Sequence, residues 1–227
     1  METIFVFAAL LLGVGAGYAL NRFAVHILER YTGKAWAYSG LIRKGPGTRH
    51  LLKTDMATLE IAAALLTALL FHRTGAVAAF GFDILIIYII LLLCLIDIRL
   101  RVLPDILTYS GIVVGLLYVP FRENFGWLDA LAGLATGVAF PLASAGIYYL
   151  WRGEEGLGMG DVKLLAFFGT FAGWQGVMVI MASGALAASG WGLLTALLQR
   201  RPQPLKEELP FGPFLGSAAL VYIMSAV

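Results

Sequence analysis

The sequence is poor in cysteine, histidine and charge. Its one cysteine, Cys94, lies within an apolar run, which excludes an intrachain disulfide and a zinc site built from cysteines. The three histidines, His26, His50 and His72, are scattered without the spacing of metal ligands. Only 13% of the residues are charged, whereas soluble domains carry charge on about a quarter of theirs. This composition argues against a soluble domain and against a cysteine-based metalloprotein.

Apolar segments recur along the whole chain and predict an all-α polytopic membrane protein. Hydrophobic residues make up 60% of the 227 residues, and the mean hydropathy is +0.85. About eight transmembrane helices are predicted, over residues 3–21, 56–72, 77–96, 106–120, 128–150, 162–173, 175–198 and 210–226. A crossing takes about 20 residues, so the short segment 162–173 can form a buried, irregular or partly re-entrant helix, and whether it crosses fully stays open. The first segment has no basic region before it and no clear cleavage site after it, so we expect it to be retained.

The basic residues divide unequally between alternate connections of this eight-span scheme. If the N-terminus lies outside, all Lys and Arg residues except Arg73 and Arg122 fall in connections that face the cytoplasm. Lys and Arg are concentrated on the cytoplasmic side of membrane proteins. The division therefore predicts that both the N- and C-termini lie outside the cytoplasm.

Two aspartates stand at the ends of apolar runs that this scheme brings to the same side of the membrane. Asp97 ends the third span, and Asp161 begins the sixth within Gly158-Met-Gly160-Asp161. A carboxylate at the edge of a membrane span is costly to keep and marks a candidate functional site. Two carboxylates that share a proton can act as general base and general acid. The pair predicts an intramembrane aspartyl protease, in which Gly158 and Gly160 can take positive φ and leave room for an extended peptide.

Five segments match the motifs of one known family in the same order. They are Gly17 to Arg22, Asp55 to Leu66 with Glu60, Asp97 to Asp105, Gly158 to Leu165, and Leu209 to Phe214. The third looks like a catalytic aspartate followed by a Leu-Pro-Asp turn, and the fourth is similar to a G-x-G-D-x-K-L motif that includes Lys163. The last is similar to a P-F-G-P-F stretch that opens the final span. The chain therefore resembles the type IV prepilin peptidases, which are GxGD intramembrane aspartyl proteases, and their archaeal preflagellin-peptidase relatives.

The resemblance implies removal of the basic leader from type IV prepilins or pseudopilins, after a glycine, at the cytoplasmic face of the bacterial inner membrane. Asp97 and Asp161 would be the catalytic residues. The implied substrate-binding residues are Gly158, Gly160, Lys163, Glu154 and Glu155, although a solvated loop surface explains the two glutamates equally well. The implied partners are the substrate proteins and the lipid bilayer, with no nucleic acid, and the oligomeric state stays open.

The sequence departs from the family pattern in its N-terminal part. Many bacterial members carry a cytoplasmic domain with zinc-binding Cys-x-x-Cys pairs, and they also N-methylate the new terminus with S-adenosylmethionine. Here the corresponding residues 29–55 are few and contain no cysteine. We therefore expect no zinc and no cofactor for cleavage, and we leave methyl transfer open. The predicted domains are the N-terminal spans with this shortened segment (1–75) and the aspartyl peptidase domain (76–227).

Other interpretations compete with a protease. Taken alone, Gly158 to Asp161 could be a capped turn, and Asp97 could pair with Arg99 or Arg101. A transporter or channel would use Asp97 and Asp161, together with Asp83, as a proton or cation path. Its usual signature is carboxylates near the midplane and paired broken helices. An assembly factor of a pilus or secretion system, without enzymatic activity, is the third interpretation.

Overall fold

The computed structural model describes residues 2–35, 48–74, 78–153, 156–199 and 210–226. Within these ranges the chain forms helices and short turns, and no strand. The helices are α1 (Glu2–Ala35), α2 (Thr48–Thr74), α3 (Ala78–Leu100), α4 (Asp105–Tyr118), α5 (Trp127–Arg152), α6 (Met159–Gln199) and α7 (Gly212–Ala226). A 3-10 turn, Val119–Phe121, follows α4. Of the predicted cytoplasmic segment 29–55, residues 36–47 lie outside the described ranges.

Long apolar helices make this a membrane protein of the predicted all-helical class. Four stretches in the described ranges are long and apolar enough to cross a membrane: Ala57–Thr74, Ala79–Leu100, Trp127–Arg152 and Met159–Leu198. Shorter apolar helical stretches cover Ala8–Ala24, Asp105–Phe121 and Gly212–Ser225. Large apolar side chains also face outward, as at Leu128 and Leu150, which are 84% and 86% exposed. Such exposure suits contact with lipid.

The chain folds as two compact units, Met1–Phe80 and Gly81–Val227. In the first unit, α1 packs against α2 through Gly13 and Gly17. A Cβ atom at Gly17 would lie 2.8 Å from the Cα atom of Glu60. Asn21 Nδ2 donates a hydrogen bond to Glu60 Oε1 at 2.7 Å. Small residues four apart let helix backbones approach closely, which drives helix association in lipid.

The second unit is built around α6, which packs against α4, α5 and α7. Glycines at four-residue spacing lie at these contacts, where an added Cβ would collide with the facing helix. They are Gly111 and Gly115 on α4, Gly133 and Gly137 on α5, and Gly169 on α6. The helices around α6 therefore approach one another more closely than larger side chains would permit.

Helix α6 reverses direction at Gly173, whose φ of 72° and ψ of −179° are not helical. This positive φ favours glycine. Gly176, just past the break, lies against Tyr222 near the end of α7, whereas Gly184 lies against Leu215 near its start. The second arm of α6 therefore runs antiparallel to α7. The break coincides with the boundary predicted between segments 162–173 and 175–198.

Side chains from two other elements satisfy carbonyl groups at this reversal. The Arg122 guanidinium donates to the carbonyl oxygen of Phe171, and the Tyr222 hydroxyl donates to that of Ala172 at 3.2 Å. The last carbonyls of a helix lack partners within it and need such donors. The first arm of α6 is helical, and its residues from Leu164 to Ala172 are buried, which agrees with the buried helix among the alternatives for segment 162–173.

Candidate active site

The two predicted aspartates line one pocket of about 830 Å³ in the second unit. The end of α3, the turn into α4, the chain entering α6 and the chain entering α7 all contribute to its wall. The lining residues are Asp97, Arg101, Val102, Leu103, Asp105, Gly156, Leu157, Gly158, Gly160, Asp161, Lys163, Pro210 and Phe211. The structure therefore brings together two carboxylates that are 64 positions apart in the numbering of the chain.

Asp97 is held in the last turn of α3 by contacts on both its main chain and its side chain. Its carbonyl oxygen accepts a hydrogen bond from the Arg101 N–H at 2.8 Å, and Arg101 ends the helix with a φ of 52°. The carboxylate is buried, and its Oδ2 accepts the backbone N–H of Gly212 at 3.0 Å. Asp97 is thus fixed by the start of α7, a contact between parts of the chain that are remote in sequence.

Asp161 lies in the first turn of α6 and is half-buried. Its N–H donates to the carbonyl oxygen of Gly158 at 3.1 Å. A Cβ atom at Gly160 would lie 3.2 Å from Leu103, so Gly160 permits close packing of this turn on the turn that follows α3. Neither Gly158 nor Gly160 has a positive φ. The two glycines contribute small size at the pocket wall, and their predicted contact with substrate stays a prediction.

Lys163 and Asp105 form an ion pair at the pocket wall. Lys163 Nζ lies 2.6 Å from Asp105 Oδ1 and 5.5 Å from the ring centre of Tyr109. The pair joins the first turn of α6 to the start of α4. Lys163, predicted to bind substrate, is therefore already engaged with α4. The other predicted substrate-binding residues, Glu154 and Glu155, lie outside the described ranges.

Asp83 occupies the opposite end of α3, about 21 Å along the helix from Asp97. It is buried, accepts a hydrogen bond from the Tyr118 hydroxyl and lies close enough to Arg122 for electrostatic attraction. The Arg122 guanidinium lies over the ring of Tyr118 at 5.4 Å. Asp83 is therefore a satisfied polar contact and does not face the pocket.

The donor atoms in the described ranges do not fit a zinc site. No three residues of the types His, Cys, Asp and Glu are placed there to hold a metal ion. Cys94 is a free thiol whose Sγ lies 3.9 Å from the Gly212 carbonyl oxygen, so it packs at the contact between α3 and α7.

The chain entering α7 is the part of the site whose role the sequence did not reveal. Pro210 and Phe211 line the pocket, and Gly212 donates to Asp97. In the sequence this stretch carried a resemblance without an assigned role. The available signal was Gly212 and Gly216, spaced by four residues at the start of the last span, which indicates close packing on another helix.

Two carboxylates facing one open pocket can divide acid and base roles toward a water molecule. By fold and site, the chain is an all-helical membrane protein with two carboxylates lining one pocket. Comparison with known proteins adds the family to which part of the chain is similar. Residues 84–193, just under half of the chain, match the type IV leader peptidase family.

Several curated relatives carry the name prepilin leader peptidase/N-methyltransferase. The relative from Burkholderia pseudomallei is 34% identical over 179 residues, which are 78% of this chain and 55% of the relative. The relative from Aeromonas hydrophila is 30% identical over 70% of this chain and 56% of its own length. The relative from Pseudomonas aeruginosa is 30% identical over 73% of this chain and 57% of its own length. The chain thus spans little more than half the length of these relatives, and no solved structure matches it.

Proposed function

We propose that this protein is an intramembrane aspartyl endopeptidase that removes the basic leader from type IV prepilins or pseudopilins, after a glycine. Asp97 and Asp161 are its catalytic pair. The observation that carries the proposal is the shared pocket, which both aspartates line at the ends of apolar helices. The match of residues 84–193 to the type IV leader peptidase family and the names of the relatives support the substrate class.

The proposed reaction needs one ionised and one protonated carboxyl group. The ionised carboxylate removes a proton from a water molecule, whose oxygen attacks the carbonyl carbon of the scissile peptide bond. The protonated partner donates to the carbonyl oxygen as the tetrahedral intermediate forms. When the C–N bond breaks, the carboxyl group that took the proton from water donates it to the leaving nitrogen, and a hydroxyl of the intermediate returns a proton to the other carboxylate, so the pair again holds one proton. General acid–base catalysis of this kind requires that both groups reach the same substrate carbonyl.

The proposed topology has eight spans with both termini outside the cytoplasm, in the bacterial inner membrane. The reversal of α6 at Gly173 supports the division of this helix into two segments: the 14 residues before the break extend about 21 Å and the 26 residues after it about 39 Å, against an apolar core about 30 Å thick. Arg122, predicted to lie outside, is at the opposite end of α3 from Asp97. Reporter fusions after Arg152 should read as cytoplasmic and a fusion after Asn124 as external. An external signal after Arg152 would contradict cleavage of a cytoplasmic leader.

The decisive experiment separates cleavage from transport. The purified chain in detergent should cleave a prepilin that carries its leader, and the product should begin at the residue after the glycine. The same protein in liposomes should carry no proton flux driven by a pH gradient. Flux without cleavage would favour the transporter, which uses Asp83 as well. The position of Asp83, about 21 Å from Asp97 along α3, does not support that path.

We propose that cleavage uses no zinc and no other cofactor, because the chain has a single cysteine. Elemental analysis of the purified protein should find less than stoichiometric zinc, and chelators should leave cleavage unchanged. About one tightly bound zinc per chain would contradict this. The name of the relatives includes N-methyltransferase, and the mass of a processed pilin tests for that activity here. One added methyl group at the new terminus would assign that activity to this chain.

A further inference from the structure

We propose that Gly212 is a positioning residue for the reaction, because its N–H and its lack of a side chain fix the carboxylate of Asp97 in the pocket. This inference rests on the proposed function. It adds a residue from the last helix to a site that the sequence predicted from the ends of α3 and α6 alone. The supporting observations are a hydrogen bond, a steric contact and the hydrogen bonding of the first turn of α7.

The contact between Gly212 and Asp97 is short and buried. The Gly212 nitrogen donates to Asp97 Oδ2 at 3.0 Å, and both residues are buried. A Cβ atom at Gly212 would lie 2.6 Å from that oxygen and 3.0 Å from the carboxyl carbon. Real Cβ atoms do not approach other atoms so closely, so any larger residue must displace the carboxylate or move α7.

The start of α7 leaves one N–H directed at Asp97. The first N–H groups of a helix lack partners within it. In α7 the N–H groups of Phe214 and Leu215 both bond the carbonyl oxygen of Phe211, and Pro213 has no N–H. Gly212 is thus the first-turn residue whose N–H reaches the carboxylate. The positive end of the helix dipole at this terminus adds attraction for an anion.

The packing one turn further on provides a matched control. Gly216 lies four residues after Gly212, and an added Cβ there would collide with Cys94 Sγ on α3. Gly212 and Gly216 therefore occupy the same helix contact, and only Gly212 touches Asp97. A purely structural role predicts similar effects at the two positions, whereas a positioning role predicts different ones.

The test measures cleavage of a leader-bearing prepilin by purified full-length variants, normalised to folded protein by size-exclusion chromatography. Gly212→Ala should lower kcat by roughly 10- to 100-fold with KM unchanged within about twofold, because the added Cβ displaces the Asp97 carboxylate from the N–H that fixes it, and hydrogen bonds to charged groups are among the strong ones. Gly216→Ala should instead lower the yield of folded protein and leave kcat per folded molecule within about twofold. Adding Cys94→Ala, which removes the Sγ atom, should restore the yield of Gly216→Ala and leave the low kcat of Gly212→Ala unchanged.

A second comparison keeps the proposal testable if Gly212→Ala does not fold. In that case Gly212→Ala with Asp97→Ala should recover folded protein, because removal of the carboxyl group frees the space that the new Cβ needs. Failure of this rescue would overturn the proposal, and so would wild-type kcat in folded Gly212→Ala. Either result, with an active wild type, leaves the protease itself standing. An inactive wild type would instead overturn the proposed function.

Discussion

Two buried aspartates on one helix have different surroundings. Asp83 and Asp97 both lie on α3 and are 5% and 6% exposed. Asp83 receives the hydroxyl of Tyr118 and the electrostatic attraction of Arg122, whereas Asp97 receives a backbone N–H and lines a pocket with a second carboxylate. Burial of a carboxylate in a membrane protein therefore does not identify a reactive site by itself. The groups that face the carboxylate distinguish the two.

The residue types around each aspartate explain the difference. Near Asp83, aromatic rings fill the space: Phe82 stacks on Tyr118 at 5.3 Å and on Phe121 at 4.9 Å. Near Asp97, the wall consists largely of turns, with glycine and proline at Gly158, Gly160 and Pro210. Aromatic rings therefore fill the space around Asp83 at one end of α3, whereas small residues line the pocket around Asp97 at the other end.

The largest expected effect is the loss of leader cleavage when either aspartate of the pocket is substituted. Asp97→Asn and Asp161→Asn should each reduce the rate of leader cleavage by at least about 100-fold, because asparagine keeps the shape but cannot exchange a proton. Both variants should reach the membrane at wild-type levels. The measurement is the appearance of processed pilin over time, with the yield of folded protein as the control. Robust turnover by either variant would remove that aspartate from the catalytic pair.

A different outcome is expected at the other end of α3. Asp83→Asn should lower the free energy of unfolding by about 1–3 kcal/mol, since it removes the charge that faces Arg122 and weakens the bond from Tyr118. Cleavage per folded molecule should stay within about twofold of the wild type. Thermal unfolding in detergent, followed beside the cleavage assay, checks both. A stable but inactive Asp83→Asn protein would invalidate the distinction between the two aspartates.

The reversal of α6 should be sensitive to the groups that satisfy its carbonyls. Tyr222→Phe removes the hydroxyl that bonds Ala172 and should destabilise the protein by about 0.5–1.5 kcal/mol. Tyr109, which is 53% exposed and faces Lys163 at the other end of the first arm of α6, provides a control with the same change, Tyr109→Phe, and should have a smaller effect on thermal stability. Equal stability losses in the two variants would show that the Tyr222 hydroxyl has no special role at the reversal.

The smallest effect is expected at the ion pair on the pocket wall. Asp105→Asn and Lys163→Met should each change kcat/KM by less than about fivefold, because an exposed ion pair contributes little. The change should shrink further at high salt, which screens such pairs. If Lys163→Met raises KM strongly while Asp105→Asn does not, Lys163 contacts the substrate directly, as the sequence predicted.

Local signals in the sequence were sufficient to predict most of the helices and to select the two aspartates as candidates, because both inferences depend on residues close together in the chain. The predicted span 128–150 lies within α5, residues 78–96 of the predicted span 77–96 lie within α3, and the boundary before 175 falls at Gly173. The ends of apolar runs identified Asp97 and Asp161 as candidates without any knowledge of packing.

The contacts between helices could not be predicted in the same way. The partner of Asp97 is Gly212, and the partner of Asp83 is Tyr118; neither pairing follows from apolar periodicity, which does not specify neighbours. Helix α1 also continues to Ala35, well past the predicted end of the first span at residue 21. The four-residue spacing of glycines was a usable sign of close packing, but it does not say which helix faces which.

The most direct test of the catalytic pair compares the double variant Asp97→Asn/Asp161→Asn with each single variant, in single-turnover cleavage of a prepilin by folded protein. Residues that act as one unit are strongly non-additive. The pair therefore predicts that the double variant cleaves no more than about threefold more slowly than the slower single variant. Losses that multiply in the double variant, or cleavage near the wild-type rate by either single one, would contradict a shared mechanism.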